Sequence, residues 1–173
     1  MSHPVILTDA ARRPEQAAAH LLTDISADVL HRMPGGRGNS IAWLIWHAAR
    51  QMDVQTAQLT GGTTVWQKGG WAERTGIDRG PDDFGFGDRA EDVAALRVEQ
   101  PSDILSYLSS CADALVEHIE ALDAERLEEV VDESWEPPVT RGVRIVSIID
   151  DAVSHCGQAA YVRGLLEDWS LGV

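Results

Sequence analysis

Asp151 and His155 stand four residues apart, so on a helix their side chains share one face, one turn apart. Ile148, Ala152 and Ala159 flank that face and mark it as interior. An ionised carboxylate in such a place needs a partner. Beside an imidazole on an inward stripe, it is well placed to grip a metal ion inside a helical bundle. A third donor is His47, mid-way along another helical segment, within Trp43-Leu-Ile-Trp-His47 and beside its apolar stripe. Two nitrogens and one oxygen make the three-ligand set of a catalytic zinc site, which leaves one position for water or substrate. Zinc is the expected ion, and nickel suits the same donors. Asp150 is turned about 100° around the helix from its neighbour, toward solvent. Spacing alone also admits two plainer readings. His47 would be a packed, hydrogen-bonded core residue, and Asp151 with His155 a helix-stabilising contact.

The other candidates carry less chemistry. His3 lies in the N-terminal tail, His20 and His31 in or just past the first helical stretch, and His118 beside the stripe of the third. All four read as solvated or structural. Cys156 follows His155 directly and points to a different side of the helix, as a small buried residue. Cys111 reads as core filler. Trp43 and Trp46 read as core or pocket wall. Trp66 and Trp71 lie in a long polar connection, where large aromatics are expected to line or lid a cavity.

Four helical stretches must position these groups. The first runs from about Ala10 to Asp24, its regular part beginning at Pro14, since proline suits the first helical position. The second follows the break Pro34-Gly35-Gly36-Arg37-Gly38, with Asn39 or Ser40 as cap, and ends at Gly61-Gly62. The third starts after Pro101 with Ser102 as cap, and Ile104, Leu108, Ala112, Leu115 and Ile119 form its stripe. The fourth follows Pro137-Pro138 and runs from about Val143 to Asp168. The connection 61–100 is long enough to be functional or to hide structure of its own, and residues 89–97 are expected to form a short extra helix. No stretch alternates as a strand does. Ile25-Ser-Ala-Asp-Val-Leu30 and Leu122-Asp-Ala-Glu-Arg-Leu127 echo one another, each a cap plus one helical turn after a long helix. The pattern predicts an all-α chain, two helical hairpins packed into a four-helix bundle, as a single domain over residues 1–173.

Charge narrows the partners. The chain of 173 residues carries 14 Lys and Arg against 28 Asp and Glu, a formal net charge of −14. Such a chain repels phosphate backbones and anionic lipid, so nucleic acid and membrane surfaces are excluded as partners. The only local basic runs are Arg12-Arg13 and Arg141 to Arg144. No window approaches the roughly 18 apolar residues of a membrane span. The start MSHPVILTDAARRPEQ lacks the basic end and apolar run of a signal peptide. Two cysteines without a pairing pattern suit a reduced compartment. A cytoplasmic protein is the expectation.

Several pieces then combine: NSIAWLIWHAARQMD, GGWAERTG, Asp83-Phe-Gly-Phe-Gly87, WEPPVTRGVR and DDAVSHCGQAAYVRG. In this order and spacing the chain resembles the DinB-like superfamily from about Ala10 to Glu167. The resemblance is to its actinobacterial branch of mycothiol-dependent transferases and to the N-terminal domain of mycothiol-dependent maleylpyruvate isomerase. It implies a four-helix bundle with long connections and a metal at one end of the core. The family's histidine on the second helix is matched by His47, and its His or Glu four residues before a final histidine by Asp151 and His155. Asp151 is a departure, one methylene shorter than Glu. The resemblance also implies a low-molecular-weight thiol as cosubstrate (mycothiol, bacillithiol or glutathione), deprotonated by zinc to become a nucleophile. Arg74, Arg79, Arg141 and Arg144 would then clamp carboxylates, unless they are ordinary solvated charges. The leading function it implies is a metal-dependent thiol S-transferase acting on a small electrophile, with homodimerisation compatible. The alternatives are a metal-dependent hydrolase and a non-catalytic, metal-stabilised ligand-binding bundle, the latter favoured by the shorter Asp151.

Overall fold

The computed structural model describes residues 3–172. Four long helices form the body: α1 (His3–Leu21), α3 (Ile41–Thr60), α7 (Pro101–Glu120) and α9 (Arg141–Leu166). Short helices α2 (Ala27–His31) and α8 (Ala124–Leu127) follow α1 and α7, where the internal echo places a capped turn. Their caps are Ser26, whose hydroxyl accepts from the Val29 amide, and Asp123, whose carboxylate accepts from that of Arg126. The long connection contains α4 (Val65–Lys68), α5 (Trp71–Thr75) and α6 (Ala90–Ala95), the last within the stretch expected to be helical.

Local chemistry sets the boundaries of the site-bearing helices. The Ser40 hydroxyl accepts from the Trp43 amide at 3.2 Å and starts α3. Gly61, left-handed at φ 66°, ends it, a conformation open to glycine at little cost. Thr140 caps α9 through the Val143 amide at 3.3 Å, so this helix starts two residues before the expected Val143. Pro101 takes the first position of α7 after Gln100, which displaces Ser102 from the cap.

Three expectations need correction. Helix α1 begins at His3, not Ala10, and runs through Pro14 instead of starting there. The missing amide would ordinarily cost about 3 kcal/mol or more, but the Pro14 side is buried in the bundle, and packing holds the helix together. The side chain of His3, expected to be solvated, lies outside the described part. Two strands do exist, β1 (Val130–Asp132) and β2 (Val139–Thr140), paired antiparallel in the connection between α8 and α9. They are too short to show alternation. Finally, the long helices do not pair as successive hairpins. Each packs on two neighbours, in the cyclic order α1, α7, α3, α9. Helices α1 and α3 therefore face each other diagonally, because segment 22–40, with α2 and a 3-10 turn, is long enough to cross the end of the bundle.

The core between the four helices is apolar, with Leu21, Ile41, Leu44, Ile45, Met52, Ile104, Leu108 and Ile148 almost wholly removed from water. Each such side chain contributes about 1.5–3 kcal/mol, so the bundle stands on packing and can carry a few polar groups at its edge. No described helix is long and apolar enough to cross a membrane.

Candidate metal centre

Helices α3 and α9 are direct neighbours, and they bring His47, Asp151 and His155 together. One donor atom from each lies within 4.8 Å of the others, and this is the one such trio among the described residues. The two imidazoles meet edge to face with centroids 4.4 Å apart. Asp151 Oδ1 lies 3.7 Å from His155 Nε2, beyond hydrogen-bond reach, so the pair is not simply a helix-stabilising bond. Asp150 is exposed on the outer side of α9, as its rotation requires.

Hydrogen bonds fix which nitrogens are free. His47 Nδ1 lies 2.5 Å from the Phe84 carbonyl oxygen and donates to it. His155 Nδ1 lies 3.2 Å from Gln158 Oε1. With each Nδ1 proton committed to an oxygen, each Nε2 keeps a lone pair, the arrangement of metal-ligating histidines. Asp151 Oδ2 is buried without a hydrogen-bond partner, a state that costs about 1–3 kcal/mol unless something satisfies it. Two imidazole nitrogens and one orphaned carboxylate oxygen fit a divalent cation. His47 is buried, while the side chains of His155 and Asp151 are 18% and 41% exposed. The centre is thus reachable from solvent on one side. Burial, aided by the nearby His155, lowers the His47 pKa against the opposing pull of the Phe84 carbonyl, Asp151 and Asp88. The neutral, ligating form is favoured.

The segment that carries Phe84 is strapped to the bundle. Trp43 stacks flat on His47 at 4.7 Å, and its indole N–H donates to Asp88 Oδ2 at 2.8 Å. Arg79 bonds Asp88 at 2.8 Å and Asp83 at 3.0 Å. From below, the fully buried Arg50 donates to the carbonyls of Asp83 at 3.0 Å and Pro81 at 2.5 Å. Its guanidinium also reaches Asp53 at 3.0 Å and the Tyr107 hydroxyl at 2.9 Å. Asp53 in turn accepts the amides of Val65 and Trp66, at 2.7 and 2.8 Å. Gly85, at φ 83°, lies so close to Trp43 and Trp46 that a β-carbon would sit 3.0 and 2.9 Å from their rings. Reasoning from sequence missed Arg50, Asp53, Tyr107 and Asp88. The available signal was a pair of opposite charges three apart on a helix otherwise full of core residues.

The structure moves other expected site residues elsewhere. Trp66 and Trp71 are only 3% exposed and pack on Tyr107, with ring centroids 5.0 and 5.4 Å away. They are core aromatics and neither line nor lid the centre, because α4 and α5 fold them onto α7. Phe84 and Phe86 stand near it instead: Phe84 is 6.2 Å from the His47 ring, and Phe86 is 88% exposed. Arg79 is held by Asp83 and Asp88, Arg141 by Glu129, and Arg144 by Asp132, while Arg74 stacks on Trp71. None stands as a vacant carboxylate clamp. Cys156 donates its thiol to the Pro14 carbonyl at 3.5 Å, and burial pushes its pKa up to about 12. Cys111 is buried and likewise raised, so neither thiol is a nucleophile at neutral pH. His31 is structural, bonded to the Ala27 carbonyl at 2.8 Å and the Val98 amide at 3.0 Å. His20 is exposed, its ring 5.9 Å from that of Trp169. His118 is half-buried.

Comparison with known proteins agrees with this architecture. The family model described as the DinB superfamily matches residues 10–159. A crystal structure of a conserved protein from Enterococcus faecalis is similar, with a TM-score of 0.87 and 30% identity over 95% of this chain and 97% of that one. A search of curated proteins returns no match.

Proposed function

This chain belongs to the DinB superfamily, whose members bind a divalent metal. From that premise we propose that it is a metal-dependent thiol S-transferase, with His47, Asp151 and His155 as the metal ligands. The observation that carries the reading is the pair of histidines with committed Nδ1 atoms, beside an orphaned carboxylate oxygen, on the solvent-reachable side of the bundle. Zinc is the preferred ion, since a three-residue nitrogen and oxygen set with an open position suits it; nickel fits the same donors. When bound, such an ion lowers the pKa of a thiol brought to it, so that the sulfur can attack an electrophile at neutral pH.

The protein's own groups orient and shield. The Phe84 carbonyl and Gln158 hold the two imidazoles in the ligating tautomer. Trp43 covers one face of His47 and keeps water from that side. Phe84 and Phe86 offer apolar surface to a small electrophile. The thiol is proposed to be mycothiol, following the branch that the sequence resembles. Such thiols are kept reduced in the cytoplasm, the proposed setting.

The test is thiol dependence on a metal-defined sample. Protein reconstituted with zinc should hold about one ion per chain and consume monobromobimane faster with mycothiol than the free thiol does. Consumption of an ester substrate without any thiol would replace this reading by a hydrolase. Less than a tenth of an equivalent of metal after reconstitution would overturn both.

A further inference from the structure

Three side chains on one face of α3 bond the segment that carries Phe84. Trp43 stands four residues before His47 and Arg50 three after it, so all three point the same way. Trp43 reaches Asp88, His47 the Phe84 carbonyl, and Arg50 the carbonyls of Asp83 and Pro81. The bonds of His47 and Arg50 thus fall on consecutive carbonyls. In an extended, pleated chain successive carbonyls face opposite sides, so the backbone at 83–84 must curl for both to face one helix. Two bonds within the segment support that curl. The Asp83 amide donates to the Gly80 carbonyl at 3.1 Å, and the Gly85 amide to the Asp83 carboxylate at 2.9 Å. Arg50 holds it from outside.

Stability alone does not explain a wholly buried arginine at this place. A buried ion pair can often be exchanged for apolar side chains of similar volume without loss of stability. An apolar side chain, however, cannot donate to the Pro81 and Asp83 carbonyls. A lysine cannot reach them and Asp53 together, since its ammonium lacks the planar fork that here meets four acceptors. Two of those acceptors, Asp53 and the Tyr107 hydroxyl, belong to the long helices, and the other two to the segment. The guanidinium is a bracket between them, and it is itself fixed, lying 5.0 Å from the centre of the Trp66 ring. Arg163 makes a second bracket of this kind. It is 5% exposed, donates to the carbonyls of Leu21 at 2.5 Å and Thr23 at 2.9 Å, and pairs with Glu167. Its bonds tie α9 to the turn after α1 and reach neither segment 81–88 nor the metal trio.

We propose that Arg50 is a positioning residue for the metal centre. By fixing the carbonyls of Pro81 and Asp83 it holds the next one, that of Phe84, on His47 Nδ1. It thereby sets the tautomer and the ring orientation with which His47 meets the ion. The proposal rests on His47, Asp151 and His155 being the ligands.

Two variants remove the bracket. Arg50→Lys keeps a positive charge beside Asp53 but loses the fork. The double variant Arg50→Met, Asp53→Asn strands no charge and serves if the lysine variant does not fold. Arg163→Lys is the matched control. The first measurement is the NMR shifts of the His47 ring nitrogens in metal-free protein. They should report a single tautomer, protonated at Nδ1, in the unaltered protein and in Arg163→Lys, and move toward a tautomer average in both Arg50 variants. The second is zinc affinity by competition with a chromophoric chelator. Both Arg50 variants should bind about tenfold more weakly, the low end for losing an outer-shell partner. Arg163→Lys should bind as the unaltered protein does, even where it unfolds at lower urea. Arg50→Lys combined with Gly85→Ala should weaken binding by less than the product of the single effects, because both displace the same carbonyl. His47 shifts that stay put in the Arg50 variants, or an unchanged zinc affinity, overturn the proposal. An equal loss of affinity in Arg163→Lys overturns it too, since the cause is then general loosening, and a fully multiplicative double variant refutes the route through Phe84. If the unaltered protein takes up no zinc, the ligand reading fails, and the nitrogen shifts alone decide whether Arg50 holds the ring.

Discussion

Gly85→Ala offers a way to loosen the metal centre without touching a ligand. The residue sits at φ 83°, where an alanine costs roughly 1–2 kcal/mol. Its new methyl would lie 2.9 Å from Trp46 and 3.0 Å from Trp43, both large and packed. Overpacking of that kind costs a further 1–3 kcal/mol or so. The segment 83–88 must either bear roughly 2–5 kcal/mol or move outward, and outward movement withdraws the Phe84 carbonyl from His47 Nδ1. Loss of such a supporting bond typically weakens metal binding about 10–100-fold. The assay is zinc affinity by competition with a chromophoric chelator, beside urea unfolding of the metal-free protein. Gly87→Ala is the control: it has the same φ of 83° but nothing within 4 Å of the added carbon. It should lose about 1–2 kcal/mol of stability from the backbone alone and keep its zinc affinity. If Gly85→Ala binds zinc as tightly as the unaltered protein while unfolding at lower urea, the Phe84 carbonyl does not govern His47, and the account of that bond is wrong.

Other expectations follow from the same geometry. His47→Ala and His155→Ala should each abolish zinc binding while keeping helicity, Asp150→Ala should leave binding nearly intact, and Asp151→Glu should keep or improve it; metal content and circular dichroism on the same samples decide. An Asp150→Ala variant that loses zinc while Asp151→Ala keeps it would overturn the face assignment on α9. Arg50→Met should destabilise the protein by roughly 3–5 kcal/mol in urea, because it strands the buried Asp53 without its countercharge; a loss under 1 kcal/mol would show that Asp53 is satisfied by amides and Tyr107 alone. Burial lowers the His47 and His118 pKa values, so between the lowered values and the ordinary histidine value, about 6.5, the unfolded chain binds more protons than the folded one. The metal-free protein should therefore keep full stability above that value and lose it as the pH falls through the folded values. A melting temperature flat from pH 7.5 to 5, relative to a His47→Gln, His118→Gln double variant, would count against this.

The main helices were legible because each carries a stripe at helical period and conventional end signals, such as Ser40 and Gly61 around α3. The trio His47, Asp151 and His155 was legible in part: the spacing on α9 puts two members on one face, but the third comes from a helix more than a hundred residues away. Its residue type and its place beside an apolar stripe made it a candidate third donor, and the family resemblance matched it to the other two. The support around the trio was not legible. The Phe84 carbonyl is backbone, and no residue type announces which carbonyl will meet a histidine. Arg50 and Asp53 are of charged types that usually face solvent, yet both are buried, because the long connection folds over them. The same folding misled the reading of Trp66 and Trp71. A polar neighbourhood in sequence became an aromatic one in space, against Tyr107. Helix pairing was misread for a different reason: amphipathic stripes say that helices pack, not which pairs do.

The diagonal placement of successive helices reaches into how the molecule assembles. Each main interface between long helices joins one of α1 and α3 to one of α7 and α9. The two halves of the chain, split within 61–100, are interlocked like the fingers of clasped hands, and neither has a partner for its own apolar stripes. Fast, local hairpin formation, which lets many helical bundles fold early, gives little here, and the rate should sit toward the slow end for an all-helical chain. Two fragments cut in that connection would each be unstructured alone and should fold only on meeting. With one donor on the first fragment and two on the second, a metal ion would be a cross-link between the halves, and its uptake a direct signal that they have joined.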